Sequence, residues 1–201
     1  MRKLLLLLPL ALPALSQAAE PDTIFTGELF FTPFNELDIE PTGGPDTSPD
    51  GTGYGVRLQA GAELHLYGEY TEGLLDGSGA DVDTLDTRLG LGYRAHFDQG
   101  YLLASVEYAR FEVEVNNLDD DEDGVGAHLG AGINAGEYAT LYGRVGIVAL
   151  DSVDGPELRV GVSGNLSRNT GVFAEYRYLD LSDSDGDLTL NELRIGARLT
   201  F

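Results

Sequence analysis

The chain has 201 residues and a net charge of −22, with 34 acidic side chains against 12 lysine and arginine side chains. Attraction to nucleic acid or to an anionic lipid surface requires a basic face, and no stretch of this sequence supplies one. The absence of cysteine excludes disulfides, thiolate nucleophiles and cysteine-ligated metal sites. With 42% apolar residues, the chain can bury enough surface for one folded domain.

The N-terminus has the order of a secretory signal peptide. Two basic residues precede the apolar stretch 4–15, and small residues follow up to Ala18. The alternative is a membrane anchor, but this stretch is shorter than the roughly 20 residues that a spanning helix needs, and two prolines interrupt it. We therefore predict a signal peptide over residues 1–18, cleaved after Ala18, and one domain over residues 19–201.

The remaining chain alternates apolar and polar residues with period two, which is typical of β-strands. Ten segments show this alternation: 24–32, 54–60, 64–71, 87–97, 102–115, 125–134, 139–150, 158–167, 172–179 and 192–201. In the fifth segment the apolar residues change phase between Tyr108 and Phe111, which predicts a β-bulge near Ala109 and Arg110.

The connections between these segments alternate between two kinds. Short connections are predicted around residues 60–63, 98–100, 135–137 and 168–171, and acidic, mostly longer ones at 36–52, 72–83, 116–124, 151–156 and 181–187. An even strand number with short turns at one end and long loops at the other is the plan of a transmembrane barrel.

One face of the strands is charged and the other is apolar. The charged face carries Arg57, Arg88, Arg94, Arg144, Arg159, Arg177, Arg194 and Arg198 together with Glu28, Glu69, Asp86, Glu107, Glu157, Glu175 and Glu192. Alternation alone leaves open which face points inward, because a soluble barrel has an apolar interior. The balanced charges and the small glycines of the polar face favour a crowded polar lumen.

Aromatic residues at the strand ends of the apolar face also favour this orientation. Tyr93 and Phe97 would mark one membrane interface, and the other would be marked by Tyr70, Tyr108, Tyr176 and Tyr178.

Together these features resemble the small outer-membrane β-barrel proteins of Gram-negative bacteria, the OmpA/OmpX-like and porin-like group. The resemblance rests on the leader, the ten alternating segments and the final strand, which ends in Phe201 like the signal read by the barrel-assembly machinery. It implies an all-β, up-and-down antiparallel transmembrane barrel, monomeric and located in the cell outer membrane. We count ten strands, with the eight strands of better-known members as the alternative.

The eight inward arginines and seven inward carboxylates can form a packed polar plug or a narrow, ion-selective pore. We favour the plug, because side chains fill a barrel of this size. A structural or narrow porin-like role is therefore predicted.

Acidic residues crowd the predicted long loops. Asp119, Asp121 and Asp123 occupy calcium-loop spacing, but position twelve is Gly130 instead of glutamate, so an EF-hand is not supported. A similar triplet comprises Asp183, Asp185 and Asp187. One alternative is a solvated acidic surface without a ligand. The other is a surface-binding module whose acidic extracellular loops bind a partner or, weakly, Ca²⁺ or Mg²⁺; such ions would also bridge the loops to lipopolysaccharide phosphates, and no other cofactor is expected.

Catalysis is not expected. His65, His96 and His128 all fall on the inward face of separate strands, and the first two lie near short turns. Outer-membrane deacylases and omptin-like proteases place histidine near the lipid or loop end, so a loop-end hydrolase is the least favoured alternative.

Overall fold

In the computed structural model the chain closes into an antiparallel barrel in which every strand pairs with its neighbours in sequence and the first pairs with the last. The structure describes residues 24–43, 46–77, 80–115, 118–183 and 186–201. The strands are β1 (Phe25–Pro41), β2 (Asp50–Gly61), β3 (Leu64–Gly77), β4 (Ala80–Phe97), β5 (Gly100–Val115), β6 (Leu118–Ala135), β7 (Ala139–Leu150), β8 (Asp154–Asn165), β9 (Thr170–Ser182) and β10 (Gly186–Thr200).

The predicted up-and-down barrel of ten strands is confirmed, and the alternative of eight strands is wrong. The predicted signal peptide, residues 1–18, lies outside the described residues and stays a prediction. Over the part of the chain that is described, no helix has the length and apolar character needed to cross a membrane.

Most strands are longer at one end than the sequence predicted. The first strand continues to Pro41, the third to Gly77, and the sixth begins at Leu118, within segments predicted as long connections. The predicted bounds of the acidic connections are therefore wrong. Much of the acidic sequence belongs to strand extensions beyond the predicted strand ends, and we call this end of the barrel the loop end and the opposite end the turn end.

The irregularity predicted in β5 is instead found in β1. Both pairings of β5 continue in register through Ala109 and Arg110, so the predicted bulge is wrong. The register shifts in β1 lie between Phe31 and Phe34 on one side and between Thr32 and Asn35 on the other. Pro33 lies inside both intervals, and a proline has no backbone N–H to donate to a neighbouring strand.

An apolar belt covers the outer surface next to the turn end. Outward side chains there are large and exposed, as illustrated by Leu129, of which 67% is accessible. Aromatic residues of the predicted interfaces also point outward, including Tyr93 and Phe97 near the turn end and Tyr108 farther along. Exposed apolar side chains around a charged interior are the arrangement of a barrel in lipid.

Above this belt the two faces exchange character. The outer face of β5 changes from Val106 and Tyr108 to Arg110 and Glu112, while the inner face changes from Glu107 to Phe111. The phase change in the sequence thus reflects a change of surroundings. Lipid lies outside the part of the strand next to the turn end, and water lies outside the part next to the loop end.

Apolar side chains fill the lumen at the loop end. We call this cluster the loop-end core; its buried members are Leu37, Leu75, Val82, Ala109, Phe111, Val148, Leu179, Leu181 and Leu190. Its residues come from seven strands, β1, β3, β4, β5, β7, β9 and β10, and they close the barrel above the apolar belt as the core of a soluble barrel would.

Two neighbouring leucines of β3 test the loop-end core. Leu75 points inward with 2% of its surface exposed, whereas Leu74 points outward with 46% exposed. We expect Leu75→Ala to lower the free energy of unfolding by about 2–5 kcal/mol, because it removes packed atoms and leaves a cavity. Leu74→Ala should change it by less than about 1 kcal/mol.

Denaturant unfolding of both variants in the same detergent gives the comparison. Equal losses for the two substitutions would contradict a packed apolar core at this end of the lumen.

Candidate functional site

The candidate site is the lumen below the loop-end core. Because side chains alternate along a strand, one phase of each strand points inward, and all fifteen predicted lumen charges share that phase. Most are deeply buried, and Arg177 and Arg194 have no accessible surface.

Twelve of these residues form one connected set of hydrogen-bonded ion pairs, which we call the charge network. It comprises Arg57, Arg88, Arg159, Arg177 and Arg194 with Glu28, Glu69, Asp86, Glu107, Glu157, Glu175 and Glu192.

Two glutamates are the hubs of the charge network. Glu157 accepts hydrogen bonds from Arg88 at 2.7 Å, from Arg159 at 2.8 Å and from Arg177 at 2.7 Å. Glu69 accepts them from Arg57 at 2.6 Å, Arg159 at 2.8 Å and Arg194 at 2.8 Å. Each carboxylate is therefore held by guanidinium groups from several strands.

The ion pairs cross the lumen rather than running only between adjacent strands. Arg159 on β8 reaches Glu69 on β3 at 2.8 Å, and Arg177 on β9 reaches Asp86 on β4 at 2.5 Å. In a ten-stranded ring these strands stand on opposite walls. The charge network therefore bridges the full width of the barrel.

Two tyrosines and one histidine also join the charge network, although the sequence analysis did not assign them to it. Tyr67 donates a hydrogen bond to Glu107, Tyr142 donates one to Glu175 at 3.2 Å, and His128 Nε2 lies 2.7 Å from Glu157 Oε2. Their inward positions in the alternating pattern could have predicted that they line the lumen with the charges. Tyr67 also packs against its cross-strand partner Gly90, where a β-carbon would overlap the tyrosine ring.

One group of acidic and histidine side chains among the described residues is close enough to share a metal ion. It consists of Glu107, His128 and Glu157, whose ligand atoms lie within 4.8 Å of one another. The Arg88 guanidinium, however, donates to both glutamates. A divalent cation would have to displace this positive charge, so the arrangement is that of an ion-pair cluster and not of a metal centre.

Arg94, Arg144 and Arg198 stand apart from the charge network. Arg94 and Arg198 make no ion pair with any described residue; Arg94 lies over the Tyr101 ring at 4.8 Å and Arg198 donates to Asn165 at 2.8 Å. Arg144 Nη2 lies 3.8 Å from Glu157 and 4.0 Å from Glu107, which is within ion-pair distance but beyond hydrogen-bonding distance.

These three arginines line a cavity of about 320 Å³ at the turn end of the lumen, which we call the vestibule. Its floor is formed by paired residues of the charge network, Arg57 and Arg159 among them. The vestibule therefore stops at the network.

Three of the predicted metal ligands lie in a strand instead of a loop. Asp119 and Asp121 belong to β6, as does Asp123, so these residues follow an extended strand instead of wrapping around an ion. Asp121 pairs with Arg110 at 3.2 Å. Asp183 directly follows β9 and Asp187 is the second residue of β10, while Asp185 and the side chain of Asp119 lie outside the described part. Metal binding at these positions stays a prediction.

The C-terminal residue closes the barrel seam at the turn end. The Phe201 N–H donates to the Phe25 carbonyl at 2.8 Å, and the two rings lie 6.0 Å apart. Recognition of Phe201 by the assembly machinery stays a prediction.

A closed antiparallel barrel with a charged lumen and an apolar belt has the fold of the outer-membrane β-barrel proteins of Gram-negative bacteria. The chain matches no family model, and no curated protein matches its sequence.

Solved structures with this fold include Neisserial surface protein A, at 16% identity and a TM-score of 0.51, with 88% of this chain and 97% of that chain covered. They also include the outer membrane protease OmpT from Escherichia coli, at 8% identity and a TM-score of 0.55, with 90% of this chain and 97% of that chain covered. At these identities the similarity establishes the fold alone, and it confirms the predicted structural class.

One arginine of the charge network and one outside it give a matched test. Arg177→Met leaves Asp86, Glu157 and Glu192 without one of their donors. We expect it to lower the free energy of unfolding by about 3–5 kcal/mol, because buried charges lose their partner. Arg198→Met removes a hydrogen bond to an exposed asparagine and should cost less than about 1 kcal/mol.

Both values come from denaturant titration in detergent, with heat-modifiable gel migration to establish that each variant folds. If Arg177→Met lowers the free energy of unfolding by less than about 1 kcal/mol, water must replace the guanidinium group and must therefore reach the charge network.

Proposed function

We propose that this protein is an integral outer-membrane barrel with a structural role and that its lumen is closed to ions. The single observation that carries the proposal is the set of ion pairs that spans the lumen from wall to wall, with Arg159 bound to Glu69 and Arg177 bound to Asp86. The apolar belt supports a location within the bilayer, and the barrel fold supports the outer membrane.

Two barriers lie in series along the barrel axis. An ion that enters from the turn end meets the paired charges of the network, and breaking one pair leaves an uncompensated buried charge. It would then meet the loop-end core, where an ion loses its hydration without gaining polar ligands. A narrow porin-like role would require both barriers to open together.

Recording from planar bilayers tests this proposal. We expect the refolded protein to insert without stable conductance steps at moderate voltage, because neither barrier offers a continuous water path. A general porin added afterwards to the same bilayer should produce steps and so serves as the control. Reproducible cation- or anion-selective steps from the purified protein would contradict the closed barrel and favour a pore.

We propose no catalytic role. His65 and His96 lie near the turn end and His128 lies within the charge network, so no described histidine lies at the loop end. The fold shared with OmpT carries no activity to this chain.

We propose a second role for the acidic outer face of the strand extensions, namely weak binding of divalent cations that link the barrel to lipopolysaccharide phosphates. Among the described residues of that outer face, the basic side chain is Arg110. It already pairs with Glu112 at 2.9 Å and with Asp121 at 3.2 Å. The surrounding negative charge would concentrate divalent cations near the membrane surface.

Thermal unfolding with and without Ca²⁺ tests this role. We expect millimolar Ca²⁺ to raise the melting temperature of the protein, and Asp121→Asn with Asp123→Asn to reduce that rise. The matched control is Asp98→Asn with Glu137→Gln, which removes two exposed acids near the turn end. An equal reduction in both double variants would indicate general charge screening instead of a cation site.

A further inference from the structure

We propose that the vestibule binds a small oxyanion of the phosphate or sulfate class. The eight lumen arginines divide into two groups. Five donate hydrogen bonds to carboxylates of the charge network, and three, Arg94, Arg144 and Arg198, have no carboxylate of the described chain within hydrogen-bonding distance.

All three of these arginines line the same cavity. They stand on β4, β7 and β10, so they approach the vestibule from three sides of the ring at nearly equal spacing. Their guanidinium groups have fixed N–H donors that match the oxygens of a phosphate or sulfate ion.

The charge of the cavity lining also favours an anion. The lining holds five arginines, Arg57, Arg94, Arg144, Arg159 and Arg198, but only three carboxylates, Glu28, Glu69 and Glu175. Arg57 alone donates hydrogen bonds to all three carboxylates. Arg94 and Arg198 therefore have no ion-pair partner in the described chain, and Arg144 reaches Glu157 and Glu107 only at 3.8 and 4.0 Å.

Several donors in the vestibule are buried without a partner. The Nε atoms of Arg94 and Arg144 and the Oγ atom of Ser105, a residue with 7% of its surface exposed, make no hydrogen bond to the described residues. A buried donor without an acceptor is unfavourable, and an oxyanion would supply the missing acceptors.

Size and access fit a small ligand. A volume of about 320 Å³ lies at the lower end of the range for ligand pockets. Thr26 and Thr200, which lie near the ends of β1 and β10, also line the cavity, so it reaches the turn end of the barrel. An ion can enter from that side without disturbing the charge network.

Calorimetric titration of the refolded full chain with inorganic phosphate at constant ionic strength tests the proposal. We expect saturable binding that sulfate competes for and chloride does not. Arg94→Gln combined with Arg198→Gln should weaken the affinity at least about tenfold, because two charged hydrogen-bond donors are lost. Arg168→Gln, which removes an exposed arginine near the same end but outside the cavity, should stay within about twofold of the unmodified protein.

Heat-modifiable migration establishes that each variant is folded. If the double glutamine variant does not fold, Arg94→Lys with Arg198→Lys replaces it; this variant keeps the charges but loses the fixed guanidinium geometry, and we expect weaker phosphate binding than in the unmodified protein. Phosphate binding that is absent in the unmodified protein, or that falls equally in Arg168→Gln, would overturn the proposal and leave the vestibule as a water-filled cavity.

Discussion

The structure depends on one constraint, which is that the two faces of a β-strand must suit two different surroundings. In a closed barrel each backbone group pairs with a neighbouring strand, so the side chains alone meet lipid, water or the lumen. Lipid outside the lower part of the strands requires apolar outward residues, and the polar residues then occupy the lumen. Water outside the upper part reverses both assignments. The charged lumen and the loop-end core are therefore two results of the same alternation.

The charge network contributes more to the geometry of the lumen than to the stability of the fold. Desolvation of buried charges offsets much of their attraction, and apolar residues of similar volume often stabilise a protein as well or better. What the ion pairs do provide is geometry. Arg177 on β9 binds Asp86, Glu157 and Glu192 at 2.5–3.0 Å, and this ties β4 on the opposite wall to β9 and its two neighbours, β8 and β10.

The same constraint explains what the sequence could and could not predict. Period-two alternation was enough for the strand count, the barrel and the inward phase of residues such as Arg57 and Glu175. It failed above the belt, where Phe111 and Leu181 continue strands on the inner face while acidic residues occupy the outer face. If the whole outer surface is assumed to face one environment, that inversion predicts a bulge or a loop.

The pairing of particular charges was not predictable either. Partners such as Arg159 and Glu69 are separated by 90 residues and meet across the lumen, so only the closed ring brings them together. The irregularity in β1 could have been predicted from Pro33, because proline within a strand favours a bulge or an edge position.

The distribution of charge along the barrel axis follows from where carboxylates are placed. Acidic residues dominate the outer face at the loop end. The charge network holds seven carboxylates against five guanidinium groups, and Arg94, Arg144 and Arg198 lie around the vestibule with no carboxylate of the described chain within hydrogen-bonding distance. The barrel is therefore negative on its outer face at the loop end, whereas the vestibule lining holds more arginines than carboxylates. The negative outer face at the loop end repels anions, whereas the excess of arginine in the vestibule lining attracts them.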